Sequence, residues 1–535
     1  MMIPEKEDGK VEYKLKLLNK SPERIERLAT QMAYRCNEGG SECIYNIGVE
    51  DNGTMAGITK EEYEETLKTL KCVADKNDFS VTLLTTTVVD KDKNIYEVLV
   101  RENNKKSYID IKIAVAGSVD TGKSSLMGTL TTGKLDDGRG SARLSVFNFP
   151  HEVSSGRTSS IGHQIMGFNS EGKVVNYREV GKMTWPEIVK ESSKVISFFD
   201  LAGHEKYLKT TILGMTSSYP DLCLIMVGAN KGILKMTREH IFLCISLKIP
   251  FAIVITKIDM VEDKQNVLDN TMKTIKQILK APRIMRIPVL VVNKDDSIIC
   301  AKNVNSESVV PIFQISNVTG KGIDNLKVFF NLLKKIPSNI VKTQNIEFHI
   351  DSTFNVTGTG TVVGGHLVSG TVKVGDKLLM GPTNSKYEQV IIKSIYCKKV
   401  PLQSVAYGSY VCLGIKKILR ENIRRGSVII SPKSDQLMTS IFEVDINVLV
   451  SHSTTIKVGY EPVVHTGAVR QSAKLIEIKS RIGLRNSKDD EVSNVLRTGD
   501  KAVVVFQFKF QPEYLKKGSR VLFCEGKTKI IGVVL

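Results

Sequence analysis

An apolar run, Ile111–Ala116 (IKIAVA), leads directly into Gly117-Ser118-Val119-Asp120-Thr121-Gly122-Lys123-Ser124, and a helix-forming stretch, SLMGTLTTG, follows. The octapeptide fits G-x-x-x-x-G-K-[ST], and it sits between strand and helix as that motif requires. This feature constrains the chain more than any other. It commits the surrounding segment to an α/β layout in which a strand end, a glycine loop and a helix N-terminus converge on a polyphosphate. The two glycines let the N–H groups of Ser118, Val119, Asp120 and Thr121 curl around a β-phosphate. Lys123 should reach the β- and γ-phosphates, the Ser124 hydroxyl should bind Mg²⁺, and Ser125 completes the set of phosphate-loop residues.

Further apolar strands alternate with helical segments after this loop: KVISFFD, LCLIMVG, FAIVITK, PVLVV and PIFQIS. The alternation predicts a mostly parallel sheet with helices on both faces. Before it, VEYKLKLL, a helix opened by Ser21-Pro22, CIYNIG, a second helix from Gly57 to Asn77 and two more strands predict a small α/β module. After Lys342, short alternating strands with glycine turns predict an all-β half built as two barrels. The expected domains are 1–105 (N-terminal α/β module), 108–338 (nucleotide-binding domain), 344–434 and 438–535 (β-barrels), the last boundary falling at Ser431-Pro432-Lys433-Ser434. Asn103-Asn104-Lys105-Lys106 reads as a polar linker.

Three more motifs follow strands of the expected sheet. Asp200-Leu201-Ala202-Gly203-His204 ends KVISFF, 76 residues beyond Ser124. There Asp200 can hold Mg²⁺ through water, and Gly203 can offer its N–H to the γ-phosphate. Thr256-Lys257-Ile258-Asp259 ends FAIVI. A carboxylate at Asp259 accepts the paired N1 and N2 donors of guanine, which adenine lacks, so the expected ligands are GTP and GDP. The Lys257 stem can cover the base, and Thr256 stands where an Asn would be more usual. Asn293-Lys294-Asp295-Asp296 fits N-K-x-D letter for letter but comes one strand–helix unit too late. It is read as a polar turn after an extra strand. Ser316-Asn317-Val318-Thr319-Gly320 ends PIFQI and stands where a main-chain N–H would meet guanine O6.

Composition bounds the remainder. Lys and Arg number 75 against 57 acidic residues, a net charge of +18, which favours an anionic partner such as RNA or a ribonucleoprotein. A single Trp offers no obvious base-stacking platform. Nine scattered cysteines without a C-x-x-C exclude a zinc ribbon and suggest no disulfide framework. The charged Met1–Lys10 segment lacks the apolar core of a signal peptide. The most apolar stretch, Ile241–Thr256, is broken by Lys248 and Pro250 and is too short to span a bilayer. A cytoplasmic monomer without membrane association is expected.

With these motifs placed, the chain resembles the translational GTPases of the elongation factor Tu class, and within them the GTP-binding protein 1 and 2 subfamily. Val119-Asp120 inside the phosphate loop, His204 directly after D-x-x-G, and Val356-Thr357-Gly358-Thr359-Gly360-Thr361-Val362-Val363-Gly364-Gly365 at the start of the all-β half carry the likeness, as do EYKLKLL, DLAGHEKYLKTT and FEVDINVL. The resemblance implies Mg²⁺-dependent hydrolysis of GTP, with His204 orienting the attacking water and Lys123 stabilising the transferred phosphoryl group. It implies a switch I hydroxyl on the metal beside Ser124 and Asp200. Aligning Arg157-Thr158-Ser159-Ser160-Ile161 on the family's R-G-x-T-[IV] gives that place to Ser160, with Thr158 the alternative. No arginine finger stands out, so slow intrinsic turnover raised by a partner is expected. Asn169–Glu191 reads as a partner-contacting insertion or an inert surface loop. Lys416-Lys417, Arg420, Arg424-Arg425 and Lys527–Lys529 are candidate phosphate contacts or solvated faces. Gly48–Gly53 reads as a β-turn. Two outputs are open: a translation factor acting on tRNA and the ribosome, or a GTP-controlled adaptor in mRNA turnover or assembly.

Overall fold

The computed structural model describes the chain apart from residues 1–3, 7, 19–20, 104–107, 148–149, 156–157, 159, 179–182, 283, 336–343, 384, 450–454, 483–494 and 526. Asn104–Lys106 of the expected linker, Arg157 and Ser159 of the switch segment, the boundary at Lys342 and the side chains of Lys527 and Lys529 lie outside the described residues.

The N-terminal part runs β1 (Val11–Lys14), α1 (Pro22–Glu38), β2 (Glu42–Ile47), α2 (Lys60–Lys76), β3 (Phe79–Asp90) and β4 (Lys93–Glu102), with strand order β1-β2-β4-β3. Ser21 caps α1 through its hydroxyl, and Thr59 with Glu62 closes a capping box on α2. The strand expected over VEYKLKLL pairs only as far as Lys14. Beyond it, the Leu17 N–H donates to Thr66 Oγ1 on α2 (3.1 Å). Along β2, Cys43, Tyr45 and Ile47 pack with α1 and α2, while Ile44 joins the core of the neighbouring domain with Leu84 and Leu99. A sheet buried on both faces reads as a continuous apolar run, and all six residues of β2 are buried. The N-terminal part is therefore welded to its neighbour rather than tethered.

The second part continues as β5 (Ile109–Gly117), α3 (Lys123–Thr132), the short helices α4 (Ser141–Leu144) and α5 (Pro150–Ser155), β6 (Gly162–Phe168), α6 (Trp185–Glu191), β7 (Lys194–Asp200), α7 (Leu208–Ser217), β8 (Leu222–Gly228), α8 (Lys235–Leu247), β9 (Phe251–Thr256), α9 (Gln265–Leu279), β10 (Ile287–Val291), α10 (Lys294–Asn303), β11 (Val309–Gln314) and α11 (Ile323–Leu332). The seven strands lie in the order β10-β11-β9-β8-β5-β7-β6. All neighbours are parallel except β6, which runs antiparallel to β7 and which the sequence reading missed. The chain leaves β5 for β7 on one side and returns to β8 on the other. The crevice at their carboxyl ends is thus a topological switch point, the usual ligand position in such sheets.

Two barrels follow. In the first, Lys377–Thr383, Val428–Ile430, Glu347–Val356, Gly360–Ser369, Tyr410–Lys416 and Lys386–Cys397 pair in that order, and the last pairs back on the first. The second closes through Ile441–Val448, Lys501–Phe508, Val469–Ile482, Val463–Thr466, Arg520–Glu525 and Lys527–Val534. A hairpin tip at Lys398-Lys399, both residues at positive φ (49° and 65°), docks the first barrel on the nucleotide domain. Lys398 pairs with Asp110 at the start of β5 (2.7 Å), and the Lys399 ammonium lies over the Trp185 ring (5.0 Å). The 169–191 segment thus places α6 against both β6 and the first barrel.

A buried ionic cluster ties the N-terminal sheet to β7. Glu42 accepts from Lys10 (2.9 Å) and Arg101 (2.9 Å) and pairs with Lys194 (3.1 Å). Lys194 and Arg101 also donate to the carbonyl of Asn331 on α11 (2.7 and 3.0 Å). Burial raises the Glu42 carboxyl, but the three cations outweigh it and hold the group well below the usual carboxylate range. Burial pushes Lys194 down to about 7. Replacing Glu42 with Gln strands these cations, so the variant should lose about 3–5 kcal/mol, read as a lowered melting temperature. Because the folded carboxyl titrates below its unfolded value of about 4.3, its contribution is complete above pH ~5 and is lost as pH falls further. Acid melting curves of wild type and variant should therefore converge at low pH.

Candidate nucleotide and magnesium site

The phosphate loop joins β5 to α3 with Gly117 at φ 154°, Asp120 at 62° and Gly122 at 77°. Inside it, Thr121 Oγ1 donates to the Ser118 carbonyl (2.8 Å), and the Ser118 hydroxyl meets Thr237 Oγ1 on α8 (3.1 Å). Asp120 is exposed and pairs with Lys231 (3.2 Å). Lys123 folds back over the loop and donates to the carbonyls of Gly117 (3.2 Å) and Ser118 (3.0 Å). Burial lowers its ammonium pKa, and Asp200 partly offsets the shift.

The β7 end arrives beside it. Ser124 Oγ donates to Asp200 Oδ2 (2.6 Å) and meets Thr158 Oγ1 (2.9 Å). Asp200 Oδ1 is buried without a hydrogen-bond partner. Burial raises the Asp200 carboxyl, against the pull of Lys123 and Ser124. Ser160 is placed elsewhere: its N–H and hydroxyl both donate to Glu152 Oε1 of α5 (3.2 and 3.1 Å). The structure thus sets Thr158, not Ser160, beside Ser124. An orphaned carboxylate oxygen next to two hydroxyls suits a hard divalent cation, which takes oxygen ligands.

Leu201 and Ala202 are fully buried and anchor the loop that carries Gly203 and His204. Val119, Ser125, Thr158, Gly203, His204 and Arg143 line one cleft with Lys123 and Ser124. His204 accepts the Lys206 N–H at Nδ1 (3.1 Å), which leaves Nε2 to carry the ring proton. Arg143, Glu152 and Thr237 were not singled out from the sequence. No local motif marks them; tertiary packing brings Arg143 and Thr237 to the phosphate loop and Glu152 to Ser160.

At the base side, Thr256 Oγ1 donates to the Thr121 carbonyl (2.9 Å), bracing the end of β9 against the phosphate loop. Lys257 takes a left-handed conformation (φ 60°), and Ile258 is buried behind it. Asp259 Oδ1 and Asn317 Oδ1 are shielded from solvent without partners. Ser316 is buried, and its Oγ accepts the N–H groups of Val318 and Thr319 (3.1 Å each). The rival Asn293 and Asp296 instead form the capping box of α10, beyond the edge strand β10.

Comparison with known proteins agrees with this geometry. Residues 110–342 match the elongation factor Tu GTP binding domain, and residues 360–430 match elongation factor Tu domain 2. The chain is 44 % identical to human GTP-binding protein 2 over 542 residues, covering 99 % of this chain and 87 % of that protein. It is 42 % identical to GTP-binding protein 1 of Xenopus laevis, covering 98 % of this chain and 78 % of that one. The chain belongs to the translational GTPases, in the GTP-binding protein 1 and 2 subfamily. Members of this GTPase family bind GTP and GDP with Mg²⁺ and hydrolyse GTP. The solved bacterial selenocysteine-specific elongation factor EF-Sec shares the fold, with a TM-score of 0.56 at 21 % identity. That match covers 80 % of this chain, which spans 58 % of the length of that structure. Among the described residues no helix is long and apolar enough to cross a membrane.

Gly203 shows how tightly the GTPase site is built. A Cβ there would fall 2.4 Å from Lys123 Nζ and 2.6 Å from the Gly117 carbonyl. Gly203→Ala should therefore displace the lysine and weaken nucleotide binding by about tenfold or more, since 1.4 kcal/mol suffices for that. A fluorescent-GDP titration measures it.

Proposed function

We propose that this chain hydrolyses GTP at the carboxyl ends of β5 and β7, and that hydrolysis drives an elongation-factor-like switch acting on tRNA at the ribosome. The observation that carries the catalytic reading is the meeting of Thr158 and Asp200 at the Ser124 hydroxyl. Ser124 and Thr158, with Asp200 behind them, would hold Mg²⁺, which when bound neutralises charge on the β–γ bridge. Lys123 and the N–H groups of the phosphate loop meet the same charge. The His204 Nε2–H holds the attacking water in line, a positioning role rather than that of a free base. Asp259 accepts guanine N1 and N2, the Ser316-Asn317-Val318 loop offers main-chain N–H groups to O6, and the Lys257 stem covers the ring.

The output rests on the two docked barrels, the family and a net charge of +18, which suits an RNA partner. Departure of the γ-phosphate would release the switch loops and change the barrel arrangement. Nine free cysteines fit work in the reducing cytoplasm, and we infer a monomer.

Filter binding of aminoacyl-tRNA to the GTP-loaded and GDP-loaded chain tests the output. The GTP form should bind and the GDP form should not. Equal or absent binding, together with no stimulation of turnover by ribosomes, would favour a GTP-controlled adaptor instead.

For the site, His204→Ala should keep GTP affinity and lower single-turnover hydrolysis by about 10²-fold or more. Thr158→Ala should weaken Mg²⁺ dependence where Ser160→Ala does not. Asp259→Asn should shift preference toward xanthosine triphosphate. A shift produced by Asp296→Asn instead would move the base site to the edge strand.

A further inference from the structure

The nucleotide domain and both barrels together enclose a cavity of about 640 Å³. Lys112, in the amino-terminal half of β5, lies in its wall, and no residue of that wall also lines the nucleotide cleft. Lys112 enters from β5, His366 from the first barrel and Lys516 from the second.

Cations outnumber anions on this wall, and its acids are already engaged. Asp221 Oδ2 accepts the main-chain N–H of Lys112 (2.8 Å). Glu347 is held between Lys516 (2.6 Å) and His349 (2.9 Å). The buried Lys112 ammonium makes no ion pair among the described residues; it meets Nε2 of His366 (3.3 Å). His366 is 3 % exposed, and its Nδ1 has no partner. With Nε2 accepting from the ammonium, Nδ1 carries the proton and is a buried donor lacking an acceptor. Lys335 and Lys248 also line the cavity and form no ion pair among the described residues. Burial pushes Lys112 down to about 8, although the nearby carboxylates of Asp221 and Asp110 pull the other way.

A buried donor without an acceptor costs free energy that a bound acceptor would return. We propose that this cavity is a second ligand site, separate from the nucleotide cleft, that takes a small phosphate-bearing anion. Phosphate suits this wall because its charge and several acceptor oxygens can answer the ammonium groups of Lys112, Lys248 and Lys335 and the buried His366 N–H together. The volume admits more than a single phosphate group. Tyr219, stacked on His366 at 4.7 Å, also lines the cavity. A ligand there would tie three domains together at one point.

Isothermal titration of the full chain with pyrophosphate tests the proposal, with GDP saturating the nucleotide cleft and free Mg²⁺ in excess. One-site binding is expected, weakened about tenfold or more by Lys112→Met and by Lys335→Gln, each of which removes a charged donor. Lys335 is exposed on its outer side, so its variant tests the site even if Lys112→Met fails to fold. Lys123→Ala should bind pyrophosphate in this cavity as wild type does, although its nucleotide cleft is crippled. The proposal is overturned by absence of saturable binding, by unchanged binding in Lys335→Gln, or by its loss in Lys123→Ala. Citrate binding as tightly as pyrophosphate would overturn the assignment to phosphate.

Discussion

Lys123 and Asp200 carry opposite charges into the same dry crevice, yet neither serves as the other's ion-pair partner. The ammonium is satisfied by loop carbonyls, and the carboxylate gives one oxygen to a serine while the other has no partner among the described residues. Both groups are shifted toward neutrality by burial. Such a crevice stores electrostatic demand of two kinds, for phosphate oxygens and for a hard cation, and the magnesium complex of a nucleoside triphosphate meets both. The fold exists to hold these two groups apart by a fixed amount. β5 and β7 are hydrogen-bonded neighbours, so the loop that follows one and the aspartate that ends the other are placed by sheet register rather than by loop packing.

The same two strands explain the reach of the N-terminal module. Its ionic cluster grips Lys194 at the start of β7, six residues before Asp200, and its apolar face completes the core beneath α10 and α11. Charges deep inside a protein are weak sources of stability but strict sources of geometry, because each partner tolerates little displacement. The N-terminal sheet is thus a footing for the strand that ends in Asp200.

Much of the candidate site was legible because its residues follow strands. The phosphate loop, Asp200, Asp259 and Ser316 all stand at the carboxyl ends of apolar runs whose periodicity marks them. Thr158 was harder to read. Its neighbour Ser160 fits the family register better, but Glu152 from α5 captures it, and no local pattern announces that contact. Strand β6 escaped notice because GHQIMGF, an antiparallel edge, has neither strict alternation nor β-branched enrichment. Asn293 imitates a base-recognition motif because an N-cap and a purine-binding turn call for the same short polar residues. The sequence reading of residues 1–105 as a small α/β module said nothing of how it meets its neighbour. Composition cannot reveal that the second face of β2 is covered by another domain.

The hairpin tip at Lys398-Lys399 places two side-chain-bearing residues in succession where glycine would sit with least strain, at about 1–2 kcal/mol each. Glycine there would leave Asp110 without its ammonium and Trp185 without its cation. The backbone therefore accepts discomfort so that the barrel can clasp the nucleotide domain at the start of β5 and at α6. The turn thus couples backbone conformation to docking: glycine at either position would relax the tip and remove one of the two cationic contacts it makes with the nucleotide domain.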